Sequence, residues 1–203
     1  MNRKTEQEEF WSGEFGDEYV DRNKSDALLT SKICMFSTML RSTNKLSSVR
    51  ELGCNIGLNL VALNKLKPSF ELSGYEINKK AADKAASLNI ADIFNTSILE
   101  DISGTPVDLT FTCGVLIHID PDHLDKVYQN LVNSSKRYVL VAEYYNPSPV
   151  SISYRGHQNK LFKRDFAGEL IDKYGLKLVD YGFFYHRDEL KPQDDISWFL
   201  LEK

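Results

Sequence analysis

Four residues near the middle of the chain have the types and spacing to hold a nucleoside: Gly53, Asn55, Gly57 and Glu76. The run Arg50-Glu51-Leu52-Gly53-Cys54-Asn55-Ile56-Gly57 passes from an apolar stretch into a turn with two glycines. Glycine between a strand and a helix lets backbone N–H groups approach a ligand, and the helix N-terminus beyond favours a negative group. A tight turn needs glycine for backbone reasons alone, so the weight falls on Glu76, 19 residues after Gly57. An acidic side chain there can accept hydrogen bonds from both hydroxyls of a ribose. A pyrophosphate-bridged dinucleotide wants a further glycine where Asn55 stands, so the pattern favours a ligand without phosphates at that point.

Proton acceptors are the second set. His118, His157, Glu143 and Tyr145 are candidates for a general base, and His118 fits a hydrogen-bonded structural histidine equally well. In a chain of net charge −4, the segment 144–165 concentrates Arg155, His157, Lys160, Lys163 and Arg164. It reads as a long loop that binds an anionic acceptor, with Arg155, Lys160 and Arg164 gripping a carboxylate or phosphate. Tyr144 and Tyr154 offer a face for a ring or for a cation. A solvated basic loop is the plain alternative. Cys34, Cys54 and Cys113 are far apart and have no metal-ligand spacing, so no metal and no disulfide is expected.

These residues need a scaffold that alternates strand and helix. Residues 26–41 carry a helical apolar face behind Asp26, a fair N-cap; 48–52 is a strand, and 58–66 a helix stopped by Pro68. Strands follow at 70–77, 91–99, 107–119 and 137–145, with helices over 78–89 and after Pro121 between them. After the 144–165 loop, a helix near 164–174 leads to strands at 177–188 and 195–203. Their connection is too short for a parallel crossover, so they form an antiparallel hairpin. The expected fold is α/β, a doubly wound, mostly parallel seven-stranded sheet closed by that C-terminal hairpin. The length of 203 residues suits one domain at 26–203, preceded by an N-terminal segment at 1–25. The acidic balance argues against nucleic acid as a partner. No stretch has the ~18 uninterrupted apolar residues of a membrane helix, so a soluble, cytoplasmic protein with no membrane partner is expected.

The order Glu51-Leu-Gly-Cys-Asn-Ile-Gly57, Glu76, Cys113-Gly114-Val115 and a closing hairpin resembles the class I S-adenosylmethionine (SAM) dependent methyltransferases. The resemblance implies SAM as the cofactor and S-adenosylhomocysteine (SAH) as the product. It implies that Gly53, Cys54, Asn55 and Gly57 line the methionine part, Glu76 and Ile77 the ribose, Thr96 and Ser97 the adenine, and Cys113 to Val115 the floor. Adding "FWSGEFGDEYVDRN" at 10–23 and "YYNPSPVSISYRGHQNKLFKRDFAGEL" at 144–170, the chain looks like the pseudaminic acid biosynthesis-associated methylases. That likeness implies a nonulosonic acid or nucleotide-linked sugar as acceptor, in bacterial surface-glycan synthesis. In this setting the N-terminal segment is expected to act as a lid, with Arg22 meeting the methionine carboxylate, and His118, Tyr145 and His157 are the candidates for proton transfer. An NAD-dependent oxidoreductase lacks its third glycine here. The open alternatives are a SAM-dependent methyltransferase of an unrelated small molecule or peptide and a non-catalytic SAM-binding or scaffold subunit; the intact Gly53, Gly57 and Glu76 argue against the last.

Overall fold

The computed structural model describes residues 5–20 and 26–203. In chain order the elements are α1 (Glu6–Ser12), α2 (Glu14–Tyr19), α3 (Asp26–Met39), β1 (Ser48–Leu52), α4 (Leu58–Leu66), β2 (Glu71–Tyr75) and α5 (Lys79–Ser87). Then come β3 (Asp92–Phe94), β4 (Val107–Cys113), 3-10 turns at Leu116–His118 and Pro121–His123, α6 (Leu124–Asn133) and β5 (Ser135–Glu143). The chain ends with β6 (Val150–Tyr154), β7 (His157–Lys163), α7 (Phe166–Tyr174), β8 (Lys177–Phe184) and β9 (Ile196–Glu202).

Seven strands form one sheet in the order β3-β2-β1-β4-β5-β9-β8. The first five are parallel, and β9 runs antiparallel to both β5 and β8. The chain order reverses between β1 and β4, which opens a crevice at the carboxyl ends of these strands. One face of the sheet packs on α3 and α4 through Phe36, Met39, Leu60 and Leu63, all buried against Phe111 and Leu140. The other packs on α6 and α7. In α6 the buried residues Leu124, Val127, Tyr128, Leu131 and Val132 follow helical spacing, and they meet Val139 and Val141 of the sheet. No helix among the described residues is long and apolar enough to cross a membrane.

Two expectations change. Strand β4 stops at Cys113 because Gly114 takes a positive φ of 68° and the chain turns into the 3-10 segment, so 114–119 is not strand. The 144–165 segment is not a loop either: β6 and β7 form a separate antiparallel hairpin. Its two turn residues, Arg155 and Gly156, have φ of 50° and 86°, the left-handed pair that suits a tight two-residue hairpin.

The N-terminal segment lies against the carboxyl ends of the strands. Thr5 and Glu8 cap α1 reciprocally, each side chain bonding the other's backbone N–H at 3.1 and 3.0 Å. Glu6 pairs with Lys160 of β7, and the Asn78 side chain donates to Trp11 O at 3.3 Å and Asp17 Oδ1 at 2.8 Å. Gly16 lets α2 fold back on α1, since a Cβ there would sit 1.9 Å from the Trp11 carbonyl oxygen.

Candidate functional site

The turn after β1 is shaped by backbone bonds to β2. Gly53 and Cys54 both donate to Tyr75 O, at 2.8 and 2.9 Å. Gly53 has φ 84°, and a Cβ on it would come within 2.6 Å of Val115, so glycine lets β1 and β4 close together at this end. Asn55 also takes a left-handed conformation, φ 48°, and its Oδ1 accepts from Ile56 N at 2.6 Å. Asparagine tolerates this conformation through such a local bond, which explains its place in a turn where glycine is expected. Gly57 opens α4 with φ 80° and packs near Ala85 and Leu88; it serves the helix start and does not line the cavity.

Glu76 is buried at the end of β2. Its Oε2 accepts from Asn55 N and its Oε1 from Asn78 N, both at 2.7 Å. Burial raises its pKa, and the backbone donors oppose that shift. The backbone N–H groups of Asn78, Asn55 and Ile77 take part of the carboxylate's roughly four acceptor directions, and the remainder is capacity for hydroxyl donors. Asn95 fixes the neighbouring backbone by donating to Glu76 O at 2.9 Å and Ile77 O at 3.2 Å.

A cavity of about 730 Å³ runs over these residues. One end is lined by Cys54, Asn55, Glu76, Ile77, Ser97 and Val115, with Gly53, Cys113 and Gly114 beneath. Ser97 donates to Glu8 of α1, so the N-terminal helix closes this end. The other end is walled by Trp11, His118, Tyr144 and Tyr154, with Arg155 and Asp194 at the rim. His118 packs between Trp11 and Tyr154, tilted by 54° to the first ring and edge-on at 60° to the second, with ring centroids at 4.6 and 4.9 Å. Its Nδ1 lies 2.6 Å from the Lys160 carbonyl oxygen, which can only accept; Nδ1 therefore carries the proton and Nε2 the lone pair. Burial pushes its pKa down to about 4, so the ring is neutral at pH 7.

Several expected site residues lie elsewhere. Lys160 is buried, pairs with Glu6 and crosses the Phe10 ring, so it anchors α1 instead of meeting an acceptor. Arg164 is held by Glu169, which also accepts from the Tyr128 hydroxyl at 2.7 Å. Tyr145 is exposed and packs on Phe199, and His157 is exposed against Phe10 and Phe15; neither lines the cavity. Thr96 does not line the cavity, while its neighbour Ser97 does. Glu143 is buried behind the 3-10 turn, accepting from Val115, Leu116 and Ile117 N–H groups at 3.1, 3.1 and 3.4 Å; it holds that turn and does not line the cavity, and burial raises its pKa to about 7. Arg22 lies outside the described residues. Burial drives the Cys54 thiol up and the Cys113 thiol to about 12, so both stay protonated. Among the described residues no acidic, histidine or cysteine group is arranged to hold a metal.

Lys32 of α3 lines the cavity near the glycine turn, which residue spacing did not indicate. It donates to Asn59 Oδ1 at 2.7 Å, and Asn59 Nδ2 donates to Glu51 Oε1 at 2.5 Å. Glu51 is fully buried, its Oε2 has no partner among the described residues, and burial raises its pKa from 4.5 to about 8. Between those values the folded chain keeps a proton that the unfolded chain has released, so stability falls as pH rises from 4.5 towards 8. Glu51→Gln removes that proton release and is expected to flatten the fall in Tm between about pH 5 and pH 8. A decline as steep as in the native chain, read by thermal unfolding across that range, would contradict the buried proton.

The reversed strand order, the antiparallel β8–β9 closure and the crevice at the switch between β1 and β4 define the Rossmann-like methyltransferase fold. Among solved structures, the chain is similar to magnesium protoporphyrin IX methyltransferase from Synechocystis PCC 6803 with bound SAM. That likeness covers 100% of this chain and 100% of that one, at 12% identity and a TM-score of 0.70. It is also similar to a SAM-dependent methyltransferase from Clostridium acetobutylicum ATCC 824, at 12% identity and TM-score 0.65, over 93% of this chain and 97% of that chain. A third is the N-methyltransferase NodS from Bradyrhizobium japonicum WM9, at 13% identity and TM-score 0.66, over 88% of this chain and 98% of that chain. No protein-family model matches the chain, and no curated protein matches its sequence.

Proposed function

We propose that the protein is a SAM-dependent methyltransferase acting on a small anionic acceptor, with SAH as its second product. The observation that supports this reading is Glu76, a buried carboxylate on the cavity wall that retains acceptor capacity beside the turn whose Gly53 and Asn55 are left-handed. Such a site fits a ribose and offers no glycine cradle for a pyrophosphate. When bound, SAM supplies an electrophilic methyl group on a sulfonium.

The chain's own residues then orient, enclose and deprotonate. Glu76 holds the ribose hydroxyls, and Lys32 provides a cation for a carboxylate at the turn end, the role first expected of Arg22. Ser97 and Glu8 close the base end. Residues 5–20 act as a cover that excludes water, which strengthens polar contacts inside and favours a reaction that discharges a cation. Alignment of the two reactants accounts for most of the rate, a contribution on the order of 7–11 kcal/mol. His118 Nε2 receives the proton an amine or hydroxyl acceptor must lose.

For the acceptor, the likeness to the pseudaminic acid biosynthesis-associated methylases favours a nonulosonic acid or a nucleotide-linked sugar. Of the three residues expected to grip its carboxylate, Lys160 and Arg164 are engaged elsewhere and Arg155 lines the cavity, beside the Tyr154 ring that its guanidinium approaches at 5.7 Å. Arg155→Ala is expected to raise the acceptor KM by about 10-fold while leaving SAH affinity unchanged, as loss of one charge-assisted contact requires. An unmoved KM removes Arg155 from the acceptor site. Calorimetry with SAM, SAH and NAD tests the whole reading: SAM and SAH should bind and NAD should not, and NAD binding without SAM binding would overturn it. Turnover of a panel of free and nucleotide-activated sugar acids with labelled SAM then identifies the acceptor.

A further inference from the structure

Among the described residues, one face of the sheet is left uncovered at its outer edge. On the side packed by α6 and α7, α7 lies over β5 and β9. Beyond it, Leu178, Tyr181 and Phe183 of β8 share this face with Phe199 of β9, as their register with Leu201, Phe199 and Ser197 requires. Tyr181 is 65% exposed and Phe183 58% exposed. Tyr181 stacks on Phe199 with rings 14° apart, and Tyr145 packs on Phe199 from the other side at 5.9 Å. Tyr185 extends the row, 6.3 Å from Phe183. The opposite face of the same strands is covered: Phe184 and Trp198 are buried, and Asp180 is bonded to Arg41 and Ser42 there. An antiparallel edge can leave one face in water when that face is polar, but here it carries a contiguous row of large aromatic and apolar side chains, the mark of a contact surface.

We propose that this face is the contact surface of a two-fold homodimer in which the row Tyr145, Phe199, Tyr181 and Phe183 packs against the same row of a second copy. Three observations favour a second copy over an unrelated protein. Among the described residues the row itself carries no charge, since the one acidic residue of β8, Asp180, is turned to the other face and paired with Arg41; a two-fold contact of the row therefore brings no like charges together. Its composition is aromatic and apolar, as in the cores of homodimer interfaces. Its size reaches what a specific contact needs: Tyr145, Leu178, Tyr181, Phe183 and Tyr185 are 42–65% exposed, and since a fully buried aromatic hides about 150–250 Å², the five give on the order of 500 Å² per copy, or ~1,000 Å² for the pair.

The strand edge itself is blunted. The register slips between Leu178 and Asp180, and the Tyr181 N–H is bonded to Asp180 Oδ1 at 2.9 Å. Both features disfavour addition of a foreign strand and leave side-chain packing as the means of contact. The connection that follows β8 carries His186, Gln193 and Asp194 to the cavity, so the contact borders the site's outer wall.

The test is the solution mass of the full chain by light scattering and sedimentation, at up to ~100 μM protein. The native chain should run at twice its 23.2 kDa mass. The double variant Tyr181→Asp with Phe183→Asp should run as a folded monomer, with unfolding no longer dependent on protein concentration. Should that variant fail to fold, Tyr181→Ser with Phe183→Ser replaces it. Leu190→Asp, at a residue 90% exposed outside the row, should leave the dimer intact. A monomeric native chain overturns the proposal, as does a dimer that survives the folded double variant or one that Leu190→Asp dissolves.

Discussion

Replacing Glu76 by alanine is expected to weaken SAH binding by ~100-fold or more, since two hydrogen bonds to a buried carboxylate contribute about 1.5–3 kcal/mol each. Part of that loss has a different origin. Glu76 also accepts the Asn55 and Asn78 N–H groups at 2.7 Å, so removing it unties the glycine turn from the end of β2. The two contributions are separated with SAH lacking the ribose 2′-hydroxyl. In the native chain that deletion should cost about 10-fold, the worth of one bond to a charged group, and in Glu76→Ala it should cost little, because the partner is already gone. Equal losses in both proteins would place the ribose elsewhere and reduce Glu76 to a support for the turn. Glu76→Gln should fall between, retaining one acceptor oxygen.

What the sequence reveals divides along a physical line. The strand and helix alternation, the glycine turn, Glu76 at the end of β2 and the C-terminal hairpin are local: each depends on periodicity, a turn residue or a connection length. The β6–β7 hairpin had a local signal too, since Val150, Ile152 and Tyr154 alternate with serines. It was obscured because Arg155-Gly156 is a less familiar turn pair than Asn-Gly. The fate of the basic residues was not legible, because it depends on partners distant in the chain. Lys160 is taken by Glu6, 154 residues away. Arg164, by contrast, is taken by Glu169 at the first turn of α7, which is visible only once the helix start is known. Glu8 and Lys32 reach the cavity from helices that sequence order places outside the strand-and-turn motif, so no spacing rule brings them to it. Thr96 and Ser97 differ by one residue in a short turn, where the side that faces inward is set by packing and not by sequence.

The second large effect belongs to His118. Its Nδ1–H is bound to the Lys160 carbonyl, so the ring presents the unprotonated Nε2 at the aromatic end of the cavity. Removing a positioned proton acceptor lowers turnover by about 10²–10⁴-fold. His118→Ala is therefore expected to lower kcat at least ~100-fold for an amine or hydroxyl acceptor, with SAH affinity close to native. The pH profile distinguishes this from a packing role. With its value pushed down to about 4, the native base is unprotonated from mildly acidic pH upward, so kcat should hold level below pH 6.5, where a free histidine would already be losing activity. Folding carries the same group with a definite sign. Between 6.5 and about 4 the unfolded chain binds a proton that the folded chain refuses, so stability falls as pH drops through that window, and His118→Asn should lessen the fall. A variant that loses thermal stability yet keeps native kcat would show that the ring only supports Trp11 and Tyr154. A kcat that falls with an apparent pKa near 6.5 in the native protein would show instead that the proton acceptor is an exposed group and not this one.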